Sequence, residues 1–293
     1  MSVGNTIGPG GLRARLHAPE GLVAPLVLNP LMAKLAEEAG FAAGYVGGGA
    51  LGYLTCATEV NLSLTQMVHA GLEIRAHSRL PLILDGTCGW GDPVHVRHTV
   101  RTAEAAGFAA IEIEDQVLPK RVHHHVGVEH LIPSELMEAK VAEAVAARLD
   151  PNFLIIARTN AARVHGMDEA LRRAEAFHRC GADILLVMPR TSEDVRTIGE
   201  RLPRPLMYMV PTGGLGAIGM PIPDLVAQGF SLIVDPGTPF FAMAHALRHS
   251  YAALWAGRID PTLGTGAIDE ERLVHRTIGL DELLEIERRT VER

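Results

Sequence analysis

One local pattern recurs along the chain: an Ala-rich helical segment, a glycine, then a short apolar run. It is read in LAEEAGFAAGYVGG, AEAAGFAAIEIED, AEAFHRCGADILLVMP and LVAQGFSLIVDPG. These place Gly40, Gly107, Gly181 and Gly229 where a left-handed residue would end each helix. Four further apolar runs follow helical stretches: PLVLNP, LPLILD, NFLIIART and PLMYMV. Together they predict eight strands, near residues 25–29, 44–47, 81–85, 110–114, 153–157, 184–187, 206–210 and 232–234. Their Ile, Leu and Val content is nearly continuous rather than alternating, as expected of parallel strands covered on both faces. Eight such strands alternating with helices predict an α/β fold, the (β/α)8 or TIM barrel. An open doubly wound sheet is the competitor, but no GxGxxG follows the first strand and eight even units favour closure.

The 293 residues suit a single barrel domain over 1–293, with a helical extension from about residue 240. That extension, with PFFAMAHALRHSYAALWAG and IGLDELLEIERRTVER, exceeds the one helix that closes a barrel. It is expected to pack on a neighbouring subunit, so a homo-oligomer is expected. A 47% hydrophobic and 21% charged chain can supply a large core. Net charge is −7 with scattered basic residues, which argues against nucleic acid as a partner. There is no secretory pattern and no apolar stretch of the roughly 20 residues that a membrane helix needs, so a cytoplasmic protein with no membrane partner is expected. Cys56, Cys88 and Cys180 are odd in number and without CxxC pairing, which argues against disulfides and a structural zinc site.

The chemistry gathers where strands end. LILDGTCGWGDP, IEIEDQVLPKR and LIIARTNA each run apolar and then turn polar, placing Asp85, Glu114, Asp115 and Arg158 at predicted strand exits. In a barrel those exits meet around one cleft. Carboxylates there can hold a divalent cation, and an arginine can hold a substrate carboxylate by a bidentate pair. Side chains alternate along a strand, so at most one of Glu114 and Asp115 faces the centre, and Glu114 is taken. The run Gly47, Gly48, Gly49 after the second strand would let backbone N–H groups approach a carboxylate or an enolate oxygen. The pattern points to an enzyme handling a small carboxylate substrate. His123, His124 and His125 form an unusual run, one of which could donate a proton near neutral pH. Three consecutive histidines cannot converge on one ion without strain, so zinc is not expected from them. Glu59 is a weaker acidic candidate, and Trp90 and Met188 supply apolar surface near the mouth.

The order of motifs resembles the isocitrate lyase and phosphoenolpyruvate mutase superfamily. The likeness rests on the Gly-rich turn after strand two, the strand-three loop, IEDQ followed by PKR, the DPNFLIIART block, and GAD before strand six. It implies a magnesium-dependent lyase or decarboxylase, with manganese as an alternative ion, that cleaves a small 2-oxo or 2-hydroxy acid through an enolate. It also implies a C-terminal helix exchanged between paired subunits within a tetramer, a dimer of dimers. By the same resemblance Asp85 would be the principal metal ligand, with Glu114 supporting it. Tyr45, Gly47, Gly48, Gly49 and Asn160 would line the substrate site, Arg158 would clamp the carboxylate, and Lys120 and Arg121 would begin a mobile gating loop.

Departures from the superfamily pattern are equally specific. Thr87 stands where a second metal-site acid is found, and Val122 where the lyases carry their catalytic cysteine. Met188 and Met209 replace polar residues at the ends of strands six and seven. The missing cysteine argues against isocitrate and methylisocitrate cleavage. Mutase or hydrolase chemistry on a phosphonate P–C bond is the second reading, and a barrel without its metal, kept as a binding protein, is the third.

Overall fold

Parallel strands need crossover connections, and the helical stretches between the apolar runs provide them. In the computed structural model, which describes residues 9–292, β1 (Leu22–Pro25), β2 (Gly44–Val46), β3 (Leu82–Asp85), β4 (Ala110–Glu114), β5 (Leu154–Thr159), β6 (Ile184–Val187), β7 (Leu206–Met209) and β8 (Phe230–Asp235) alternate with helices. All paired strands are parallel, and β1 pairs with β8 as β2 does with β3. The ring closes between β1 and β2 through a bridge of Leu26 with Tyr45, where the Val27 N–H donates to the Tyr45 carbonyl at 2.9 Å. This is the (β/α)8 barrel.

The first strand begins at Leu22, three residues before its expected start at Pro25. Proline removes a ladder donor, and the alternation of N–H directions explains why it is tolerated. Leu26 donates to Asp235 of β8 and Val27 to Tyr45 of β2, so the missing N–H of Pro25 falls on the β2 side. The seam is thinnest there. Helix ends follow the expected chemistry: Gly40, Gly107, Gly181 and Gly229 have φ of +93°, +83°, +98° and +99°.

Behind the strands, Val96, Val100 and Ala103 of the helix Pro93–Ala105 join Met137, Val141 and Ala144 of the helix Ser134–Ala147 in one buried cluster. Each fully buried aliphatic side chain of this kind contributes roughly 1.5–3 kcal/mol. Lys140, on the second of these helices, sends its buried Nζ 2.7 Å to the Cys88 carbonyl and so fixes the loop after β3. All three cysteines are free thiols.

The chain divides into two compact units, Met1–Gly237 and Thr238–Arg293. The second contains the helices Thr238–Trp255, Ala267–Thr277 and Leu280–Thr290. Tyr251, Leu254, Trp255 and Ile259 in this unit are exposed. Among the described residues, no helix is long and apolar enough to cross a membrane.

Candidate active site

Strand register determines which charges meet. Asp85, the last residue of β3, is level with Glu112 of β4, and Glu114 is level with Arg158 of β5. Because side chains alternate, Glu112 and Glu114 share the inner face while Asp115 turns to the other side. There Asp115 accepts from Thr159 Oγ1 at 2.6 Å, the Asn160 N–H at 3.0 Å and Arg173 at 3.0 Å. Asp115 thus joins β4 to β5 and to the helix Met167–Arg179.

Asp85 is held in a backbone cradle. Its Oδ2 accepts from the Gly48 N–H and its Oδ1 from the Thr87 N–H, both at 2.9 Å. To reach this position Thr87 adopts φ +46°, and Trp90 follows at +53°. A β-branched residue in that region carries backbone strain of the order of 1–3 kcal/mol, which structures retain chiefly at functional sites. Thr87 therefore supplies an N–H where the superfamily pattern has a second carboxylate. Gly48, expected to offer its N–H to substrate, gives it to Asp85 instead; Gly47 and Gly49 border the cavity.

Four carboxylates surround two cations at the floor of this cavity. Arg158 bonds Glu112 Oε1 through Nη1 at 2.9 Å, faces Glu114 Oε2 through Nε at 3.3 Å, and reaches Asn160 Oδ1 at 3.1 Å. Tyr45 donates its hydroxyl to Glu112 Oε2 at 3.0 Å. Asn160 donates from Nδ2 to Glu114 Oε2 at 2.8 Å. Lys120 is buried between Glu114 and Glu59, with its Nζ 3.0 Å from Glu59 Oε2. Glu59 also pairs with His124. With all four carboxyls ionised and the imidazoles neutral, Glu59, Asp85, Glu112 and Glu114 outweigh Lys120 and Arg158 by two negative charges.

These charges bias one another. Burial raises the Asp85 carboxyl above its usual range, and Glu59 adds to the shift. Burial also raises Glu112, against the opposing pull of Arg158, to about 7. Glu59 goes the other way: burial would raise it, but His124 and Lys120 bring it down to about 2. Burial opposes the charge on Lys120, yet Glu114 and Glu59 hold its pKa above the ordinary value. His124 is raised by Glu59 despite its burial.

The signs give a testable stability profile for the metal-free protein. A raised carboxyl favours folding while it is protonated, so the Glu112 contribution is present below the unfolded value of 4.5 and lost as pH rises through about 7. It amounts to roughly 3 kcal/mol at about 1.4 kcal/mol per unit. Glu59 contributes in the opposite window, losing its stabilisation as pH falls from 4.5 through about 2. Urea titrations are expected to show stability falling between pH 5 and pH 8, with saturating magnesium flattening the fall. A rise over that range would contradict the charge assignment.

The cavity above this floor has a volume of about 330 Å³. Tyr45, Asp85, Glu59, Arg158, His124 and His125 form its polar side. Met188, Pro189, Met209, Val210 and Pro211 form an apolar wall. Of the expected site residues, Gly48, Glu114, Lys120 and Asn160 lie behind the lining and bond its charged groups or one another, whereas Arg121 and His123 leave the site. Arg121 is exposed and contributes only its carbonyl, which faces His124 Nδ1 at 2.6 Å. His123 turns away to His130, its Nδ1 3.3 Å from that ring's Nε2. Side-chain direction rotates along the 3-10 turn Val122–Val126, and His123 leaves the side on which the His124 and His125 rings meet.

Glu112 joins the site as well, and the signal for it is Glu-x-Glu in a buried strand, which puts two carboxylates on one face. Glu59 is set by its neighbour in space: a Cβ on Gly52 would lie 2.6 Å from the Glu59 nitrogen, so only glycine lets the helix Gly48–Leu54 approach it this closely.

With this geometry, residues 12–255 match the phosphoenolpyruvate phosphomutase family, and the chain belongs to it. It is 33% identical over 250 residues to 2,3-dimethylmalate lyase of Eubacterium barkeri, covering 83% of this chain and 84% of that one. It is 38% identical over 229 residues to the probable 2-methylisocitrate lyase 1 of Corynebacterium glutamicum, covering 77% and 74%. A solved structure of phosphonopyruvate hydrolase with oxalate and magnesium superposes with a TM-score of 0.83 at 27% identity, covering 98% of this chain and 100% of that one.

Proposed function

We propose that this enzyme is a magnesium-dependent lyase or decarboxylase that cleaves a C–C bond of a small 2-oxo or 2-hydroxy acid through an enolate. The observation that carries this reading is the cradled Asp85 carboxylate beside Arg158 in one cavity whose floor sets four carboxyl groups against two cations. A divalent cation balances that excess of carboxyl groups, and the oxygen donors Asp85 and Glu114 suit a hard ion. Asp85 would hold magnesium, or manganese, with Glu114 in support beneath it. The bound ion would supply Lewis acidity toward the substrate's carboxylate and adjacent oxygen.

The chain's own residues do the rest. Arg158 binds and orients the carboxylate, held in place by Glu112, Glu114 and Asn160. The backbone N–H groups of Gly47 and Gly49 form the oxygen-binding side, where negative charge grows as the C–C bond breaks, and Tyr45, its hydroxyl committed to Glu112, lines it. The turn Val122–Val126 covers the cavity and restricts water. His124, partnered by Glu59, hands a proton from Nε2 to the enolate carbon. Lys120 keeps Glu59 and Glu114 charged and in position. The apolar wall of Met188, Met209 and Val210 favours an alkyl-substituted acid over a highly charged phosphonate, which places P–C chemistry second.

A panel of 2-oxo and 2-hydroxy mono- and diacids, assayed for oxo-acid and carbon dioxide release with and without magnesium, tests this reading. Magnesium-dependent cleavage of an alkyl-substituted member is expected. Phosphate release from phosphonopyruvate without any C–C cleavage would favour the alternative.

The exposed Tyr251, Leu254, Trp255 and Ile259 further support association of subunits through exchanged C-terminal helices. Light scattering is expected to give a tetramer mass. A monomer at micromolar concentration would reject it.

A further inference from the structure

The histidine run contains a feature that enolate chemistry does not require. His124 and His125 lie side by side, with ring centroids 3.9 Å apart. Each has its Nδ1 engaged elsewhere: His124 faces the Arg121 carbonyl at 2.6 Å, and His125 faces the Tyr53 hydroxyl at 2.9 Å. A carbonyl can only accept, so His124 carries hydrogen on Nδ1. Nε2 faces Glu59 Oε1, so a metal ion there would displace the Nε2 proton that pairs with that carboxylate.

Both Nε2 atoms are shut off from solvent, and neither makes an aligned hydrogen bond; His124 Nε2 lies against Glu59 Oε1 as an ion-pair contact only. The two nitrogens and a Glu59 oxygen lie within 4.8 Å of one another. Glu59 divides its work, since Oε2 is held by Lys120 while Oε1 faces the imidazoles.

We propose that Glu59, His124 and His125 form a second metal site, separate from the Asp85 centre, that takes a first-row transition ion such as zinc. Two imidazoles and one carboxylate select such ions, whereas magnesium prefers oxygen donors and keeps its waters. Ligands about 2.1 Å from one tetrahedral zinc ion lie about 3.4 Å apart, so atoms now within 4.8 Å of one another need close by at most about 1.4 Å. The Nδ1 contacts to a carbonyl and a hydroxyl are the outer partners that metal-bound histidines ordinarily have. The ion would join the turn Glu59–Asn61 to the turn Val122–Val126 at the cavity mouth. It would also occupy the Nε2 position from which His124 delivers its proton, so zinc should hold the cover in place and inhibit turnover.

The chain has other histidine pairs, His123 with His130 and His245 with His249, and the test must separate them. Zinc is titrated calorimetrically into the untagged full chain already saturated with magnesium. One tight zinc per chain is expected. Its affinity should fall more than about a hundredfold in His125→Asn and in Glu59→Gln, because even an outer-shell partner is worth about 10–100-fold. It should stay within about threefold of wild type in His123→Asn, His245→Asn and Asp85→Asn.

Zinc-edge X-ray absorption on the unmutated protein gives an answer that does not depend on a variant folding. Two imidazole nitrogens around zinc are expected at about 2.0–2.1 Å. An all-oxygen shell, no tight zinc in wild type, or undiminished affinity in folded His125→Asn would overturn the proposal. These results are independent of the lyase reading, which the acid panel tests separately.

Discussion

Asp85→Asn is expected to lower turnover at least about a thousandfold while the protein stays folded. A loss of that size corresponds to roughly 4 kcal/mol of transition-state stabilisation. Asn keeps the shape of the side chain but removes the charge a cation needs. Its amide also presents a donor to one of the two backbone N–H groups from Gly48 and Thr87, which both bond Asp85. The unmet N–H costs about 1–3 kcal/mol, so circular dichroism and a thermal melt should show a folded, somewhat weakened protein. The check is steady-state turnover on the best acid of the panel across a magnesium series. Near-wild-type turnover in a folded Asp85→Asn protein would remove Asp85 from the metal site.

Arg158→Lys carries the second large effect, and it separates a clamp from a scaffold. The guanidinium meets Glu112, Glu114 and Asn160 together, and a single ammonium cannot reproduce that planar fork. A lysine keeps the charge, so most of the folding stability should remain. The complete removal in Arg158→Met leaves buried carboxylates short of a partner and should cost about 3–5 kcal/mol. If Arg158 holds the substrate carboxylate, the lysine protein should lose about 100-fold or more in kcat/KM, as expected when a charged hydrogen-bond pair is disrupted. Its oxalate affinity should fall with it. An Arg158→Lys protein that melts early but binds oxalate as well as wild type would make Arg158 a scaffold only.

The barrel was legible because its strands are buried on both faces, so every one reads as an apolar run, and because glycines mark the helix ends. The start of β1 was not, since the proline that could open a strand closes this one, and only the N–H directions at the β1–β2 seam show why Pro25 is tolerated at its end. Asp85, Glu114 and Arg158 stood out as charges ending apolar runs. Glu112 did not, because it lies within its strand, and only register against Asp85 and Arg158 gives it a role. Among the histidines, the rotation of a 3-10 turn decides that His124 and His125 border the cavity while His123 turns to His130. Sequence carries no information on that rotation. Thr87 likewise read as a lost acid, whereas its left-handed backbone delivers an N–H to Asp85.

The most direct test of the central claim is calorimetric binding of oxalate, a mimic of the enolate, with and without magnesium. The account predicts one oxalate per chain bound tightly when magnesium is present, and at least about tenfold more weakly without it, a difference of about 1.4 kcal/mol or more. Absence of binding in both conditions, or equal binding in both, would contradict a metal-assisted enolate site.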